Sequence, residues 1–127
     1  MKRFVLGLAL AGLAVLTAAC SGGGAPAATG GSATVTAGGS VTIVATGLRF
    51  LTTSITAPAG EAFEIVLDNQ EAAPHNISIS DASGANVFKG AIVSSAKATN
   101  AIPALAAGSY PFICDVHPDM KGTITAE

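Results

Sequence analysis

From Val41 onward the apolar residues of this chain recur at every second position in short runs, and Gly, Pro and Asn separate the runs. A period of two puts alternate side chains on opposite faces of an extended strand, whereas a helix needs a period near 3.6. Val41, Ile43 and Ala45 alternate with Thr42, Val44 and Thr46; Phe63, Ile65 and Leu67 alternate with Glu64, Val66 and Asp68; His75, Ile77 and Ile79 alternate with Asn76, Ser78 and Ser80. The second and third runs predict clean polar faces. Ala57-Pro58-Ala59-Gly60 reads as a turn, Ala107-Gly108 precedes a run in which Tyr110, Phe112 and Cys114 share one face, and Gly122 to Ala126 predicts a last strand. Short strands divided this often by turns predict an all-β sandwich of two sheets, with the inward residues of both sheets forming the core. Thr34 to Ser40, with Gly38-Gly39 at its centre, fits either a small hairpin or more of the linker that precedes it. Ser94 to Ala98 and Leu105 to Ala107 are Ala-rich enough to admit a helical turn, though too short for a stable helix unaided.

The first residues belong to a different problem. Met1, Lys2 and Arg3 are followed by an uncharged apolar run from Phe4 to Ala19 that ends in small residues before Cys20, the pattern of an export signal. The run is short for a permanent membrane span of about 20 residues. Leu16-Thr17-Ala18-Ala19-Cys20-Ser21 resembles the lipobox of bacterial lipoproteins, with Thr17 where Leu is usual, and implies a signal over 1–19 and a lipid on Cys20. Two acyl chains or more would hold the protein stably on a bilayer. From Ser21 to Ser32 the chain has Gly, Ala, Ser, Thr and a single Pro, which predicts a flexible tether over 20–32 and one domain over 33–127.

Loss of the leader removes Lys2 and Arg3, leaving four basic residues (Arg49, Lys89, Lys97, Lys121) against eight acidic ones, a formal net charge of −4. An acidic domain without a basic cluster is a poor match to nucleic acid and to electrostatic membrane binding. The lipid anchor would be its membrane tie. Lipidation of Cys20 also leaves Cys114 as the one other cysteine, without a disulfide partner. An unpaired thiol in an oxidising compartment is a liability unless something occupies it, and a metal is one such occupant.

Cys114, His117 and Met120 fall within seven positions, and His75 opens the third strand. Singly, each has a plain reading as a core thiol, a satisfied imidazole or a gap-filling thioether. Together they form a metal-ligand set. Two imidazoles, one thiolate and a weak thioether suit a single copper cycling between Cu(I) and Cu(II), whereas structural zinc takes four strong Cys/His ligands.

Pro74-His75-Asn76 and the run from Gly108 through Cys114-Asp115-Val116-His117-Pro118-Asp119-Met120 to Gly122 resemble the cupredoxins, small blue copper proteins of the plastocyanin and amicyanin type. Two residues between Cys and His and two between His and Met are similar to the amicyanin spacing. The resemblance implies a Greek-key sandwich with His75, Cys114, His117 and Met120 as copper ligands. It further implies a partly exposed His117 through which electrons pass, and an Asn76 that ties the His75 strand to the Cys114 loop. Asn76-Ile77-Ser78 also spells a glycosylation acceptor, read here as coincidence. Pro111 and Pro118 bracket the loop.

The implied activity is one-electron transfer between membrane-associated or exported redox proteins, without catalysis, on the outer face of the cell membrane or in the periplasm. Asp115 and Asp119 flank His117 where cupredoxins commonly show an apolar docking patch. Those acids fit either simple solvation or a partner with a positive face, such as a c-type cytochrome or a membrane oxidase or reductase. The alternative is a copper-delivery or copper-buffering lipoprotein. Such carriers more often expose Met- or His-rich clusters, which this chain lacks. An oxidase or nitrite reductase needs further copper-binding histidines than the two present.

Overall fold

A computed structural model of the protein describes residues 30–127; the expected export signal and the expected lipidation site at Cys20 lie outside the described residues. The described residues form nine strands: β1 (Gly31–Thr34), β2 (Ser40–Ala45), β3 (Thr52–Ala57), β4 (Phe63–Asn69), β5 (Ser78–Ser80), β6 (Asn86–Lys89), β7 (Lys97–Ile102), β8 (Gly108–Ile113) and β9 (Lys121–Ala126). Six of them make one sheet in the order β1-β3-β9-β8-β5-β6, and three make the other in the order β2-β4-β7. The expected two-sheet all-β architecture is present.

The alternation seen in the sequence explains which faces pack. Val41, Ile43 and Ala45 of β2 and Phe63, Ile65 and Leu67 of β4 are buried, in register as Val41 with Ile65 and Ile43 with Leu67. Ile55 and Ala57 of β3, Ile124 and Ala126 of β9, Phe112 of β8 and Ile79 of β5 face them from the larger sheet. Phe50 and Phe112 pack with ring centroids 5.7 Å apart, in the tilted arrangement that suits aromatic quadrupoles. Each fully buried Val, Ile, Leu or Phe side chain contributes about 1.5–3 kcal/mol through its removal from water.

Several local expectations are corrected by the pairing. β1 runs parallel to β3 instead of folding back on β2, so Thr34 to Ser40 is no hairpin; Val35 is buried and Gly38 turns the chain at a φ of 65°. β1 also takes in Gly31 and Ser32, which the sequence reading assigns to the tether. The Ala-rich stretches are not helical. Ser94–Ala96 is a bend, Lys97 and Ala98 begin β7 against Asp68 and Leu67, and Leu105–Ala107 is an irregular connection. Ladder hydrogen bonds to β4 outweigh the weak helical preference of so short a segment. The strand expected from His75 begins only at Ser78, and Asn76 and Ser78 are buried instead of forming a polar face.

Gly122 sits on β9 opposite Phe112 of β8. A Cβ there would collide with the Phe112 ring and lie 2.6 Å from the Thr53 carbonyl oxygen on β3, which is backbone and cannot swing away. Gly122→Ala therefore splays the centre of the larger sheet. It is expected to lower stability by about 1–3 kcal/mol, measured as a shift of the urea unfolding midpoint at unchanged slope.

Candidate metal centre

The β4–β5 and β8–β9 connections meet at one end of the sandwich, and each brings part of the site. On the first, Asn69 is buried and organises the segment: its Nδ2 donates to the carbonyls of Ala73 and Val93, both at 2.8 Å, and its Oδ1 accepts from the Glu71 N–H at 3.0 Å. His75 and Val93 exchange backbone hydrogen bonds of 3.0 and 2.9 Å, which pins the His75 backbone. On the second connection, Cys114 N donates to the Met120 carbonyl and Met120 N to the His117 carbonyl, both at 2.9 Å. These two bonds curl residues 114–120 into a compact loop.

The side chains converge. One donor atom each from His75, Cys114 and His117 lies within 4.8 Å of the other two. Cys114 Sγ is 3.7 Å from His75 Nδ1, and the two imidazole centroids are 4.9 Å apart. His75 and Cys114 are fully buried, Met120 is buried at the end of the same loop, and His117 is half-buried. Nδ1 of His117 is buried with no hydrogen-bond partner. Leaving such a nitrogen unsatisfied costs about 1–3 kcal/mol. A cation accepting its lone pair removes that cost, and the soft thiol beside it selects the metal class. The residues present therefore fit a copper ion.

Glu71 is a residue beside the candidate site that the sequence reading missed. His75 Nε2 lies 2.7 Å from Glu71 Oε1, and the N–H groups of Gly47 and Leu48 donate to the same carboxylate at 2.9 and 3.0 Å. Gly47 and Leu48 both have positive φ, 61° and 54°, a conformation uncommon for Leu and costly by about 1 kcal/mol or more. That turn aims two donors at one carboxylate. The hydrogen bond from His75, then that from Leu48, hold the Glu71 carboxyl below its usual range against the opposing effect of burial, with a lesser contribution from Gly47. An ionised carboxylate only accepts, so Nε2 of His75 carries the hydrogen, and in a neutral imidazole this leaves the Nδ1 lone pair toward Cys114. No sequence motif marks Glu71, because two of its three donors come from more than twenty residues away.

Asn76 joins the two connections. Its Oδ1 accepts from the Asp115 N–H at 2.9 Å, while its Nδ2 donates to Asp115 Oδ2 at 2.8 Å and to the Gly90 carbonyl at 3.2 Å. Being buried and engaged this way, its amide is no glycosylation acceptor in the folded chain. Asp115 is corrected in the same stroke: it does not stand free in water beside His117, since Asn76 and Lys89, the latter at 3.1 Å, both hold its carboxylate. The Asn76 hydrogen bond, then Lys89, keeps the Asp115 carboxyl below its usual range. Asp119 remains exposed.

The profile of the cupredoxin-like domain family matches residues 9–126. Amicyanin of Paracoccus versutus is 35% identical over 81 residues, which is 63% of this chain and 59% of that protein. Amicyanin-alpha of Methylorubrum extorquens is 30% identical over 80 residues, covering 63% of this chain and 66% of that protein. The matches thus span less than two thirds of either relative's length. The crystal structure of the Paracoccus versutus amicyanin superposes with a TM-score of 0.56 at 29% identity, over 69% of this chain and 81% of that one. Auracyanin A, a blue copper protein of the green thermophilic photosynthetic bacterium Chloroflexus aurantiacus, shares the fold with a TM-score of 0.63 at 20% identity, over 74% of this chain and 99% of that one.

The Glu71 network has a defined pH signature in the metal-free protein. A carboxyl whose folded-state value lies below its ordinary value of 4.5 stabilises the fold fully above that value and loses the contribution as pH falls through the lowered one. Glu71→Gln is expected to flatten the fall of the thermal midpoint below about pH 4.5, and to leave a lower midpoint at neutral pH.

Proposed function

The chain belongs to the cupredoxin-like domain family, and on that premise we propose that it is a blue copper protein that carries one electron at a time between redox proteins. The observation that carries the reading is the convergence of His75, Cys114 and His117 within 4.8 Å around a buried, unpartnered His117 Nδ1. His75, Cys114 and His117 would hold the metal strongly, and Met120 would add the weak thioether. Copper, when bound, supplies a one-electron couple between Cu(I) and Cu(II).

The residues around the site do the rest. Glu71 orients His75, and Asn76 fixes the Cys114 loop to the His75 segment, so the ligand positions change little when the charge at the centre changes. Burial of Cys114, His75 and Met120 excludes water from the thiol side. His117 is the one half-buried member of the set, and exposed Val116 and Pro118 lie on its loop, so partners would approach from this face. Full burial of three of these four side chains supports electron carriage over copper delivery, because handing on an ion requires access to its ligands.

Export under the signal of 1–19, anchoring through a lipid on Cys20 and a tether from there to the start of β1 complete the proposal. With them the domain, from β1 at Gly31 onward, would work at the outer face of the membrane or in the periplasm, without enzymatic activity. Leu16-Thr17-Ala18-Ala19-Cys20-Ser21 supports this part. A c-type cytochrome or a membrane oxidase or reductase with a positive face is the proposed partner, now addressed through the exposed Asp119 with Asp115 held back.

Addition of Cu(II) to the purified protein is expected to produce an intense blue thiolate-to-copper absorption band with narrow copper hyperfine splitting, both lost in Cys114→Ser. A colourless protein that binds only Cu(I), or no copper, would reject the carrier reading. With a c-type cytochrome, Asp119→Asn is expected to slow association and to weaken its dependence on salt.

A further inference from the structure

Asp115 follows the thiol residue directly, and its contacts do two separable things. The ring it closes with Asn76, at 2.9 Å through the backbone and 2.8 Å through the carboxylate, holds the Cys114 loop in place. A neutral oxygen acceptor would close the same ring. The carboxylate therefore brings something the geometry does not require, which is a full negative charge one residue from the sulfur. Lys89 is the one cation set against it among the described residues, 3.1 Å from Oδ2. Sheet register puts it there: Ser78 of β5, two residues beyond Asn76, pairs both with Lys89 of β6 and with Ile113 of β8, which is two residues before Asp115. The pair is unequal, because the Lys89 side chain is 64% exposed and the Asp115 side chain 27%. Water screens the exposed ammonium more than the sheltered carboxylate, so their fields do not cancel at the site. On the far side Glu71 adds a second carboxylate through His75.

We propose that Asp115 is a positioning residue whose charge lowers the reduction potential of the metal centre, and that Lys89 limits how far it is lowered. The inference rests on the copper reading above. An anion close to the ligands favours the more positive oxidation state, so Cu(II) is stabilised relative to Cu(I). The effect is electrostatic and leaves the ligand set unchanged.

Redox titration of the copper-loaded protein, followed by its blue band, tests this. Asp115→Asn keeps an oxygen acceptor for Asn76 and removes the charge; the potential is expected to rise, with reduction favoured about threefold or more, roughly 30 mV for a one-electron couple. Lys89→Gln leaves the Asn76 ring untouched and is expected to lower the potential. Asp119→Asn, which neutralises an exposed carboxylate of the same loop, is expected to move it less than Asp115→Asn does. Absorption and hyperfine splitting stay as in the parent in all three. Unchanged potentials in both Asp115→Asn and Lys89→Gln, with an intact blue band, overturn the inference and leave Asp115 a structural residue only, visible as a lower thermal midpoint. Should Asp115→Asn lose its blue band, Lys89→Gln decides alone: a potential equal to or above the parent's overturns it. A parent protein with no blue band fails the copper reading itself, and the two failures are thereby distinct.

Discussion

One buried amide holds the two halves of the site together. Asn76 makes hydrogen bonds in both directions with Asp115 and a third to Gly90, and all three cross between segments remote in the chain. Without that link, the two connections would be tied only by the β5–β8 pairing, which ends at Ser78 and Ile113 before either His75 or Cys114 is reached, and thiol and imidazole alone do not define a fixed separation. A buried polar network constrains position strongly when all its members are satisfied, since any displacement leaves an unpaired group in a low-dielectric setting. Satisfaction is complete for the Asn76 side chain and deliberately incomplete for His117 Nδ1. That contrast marks where a ligand belongs.

The sandwich supplies the rigid base on which this link works. β8 and β9 lie at the middle of the larger sheet, and the loop of residues 114–120 joins them. A loop emerging from two central, fully paired strands has little freedom at either end. β4, at the centre of the smaller sheet, sends out the opposite connection, and Asn69 at its end folds residues 70–74 so that Glu71 and His75 face the same cleft. Each ligand thus sits a few residues beyond the best-packed part of its strand. A site made this way has its side chains positioned by the frame, as the proposed electron transfer with little reorganisation would require.

Charge around the site is arranged in depth. Glu71 and Asp115 are partly sheltered and bound to the frame, Lys89 faces water, and Asp119 is fully at the surface. In the proposed reading inner charges act on the metal and outer ones on partners, because screening falls as a group withdraws from solvent. Acidic residues that look alike in the sequence, Asp115 and Asp119, are therefore assigned different work.

Much of this was legible in the sequence where the physics is local. Faces of β2 and β4 follow from a period of two, and the turn at Ala57-Pro58-Ala59-Gly60 from residue chemistry. Cys114, His117 and Met120 were legible because one short loop must bring them together, and His75 because only two histidines exist. The parallel pairing of β1 with β3, the strand at Lys97–Ile102 and the inward turn of Asp115 were not. Glu71 was hidden for the same reason, since its donors at Gly47 and Leu48 are 24 and 23 residues away. Residue type and spacing determined which groups could bind a metal and which faces could be buried. Only the tertiary structure decided which carboxylates serve the site and which meet solvent, because hydrogen bonds between distant segments exist only after the sheets have set their register.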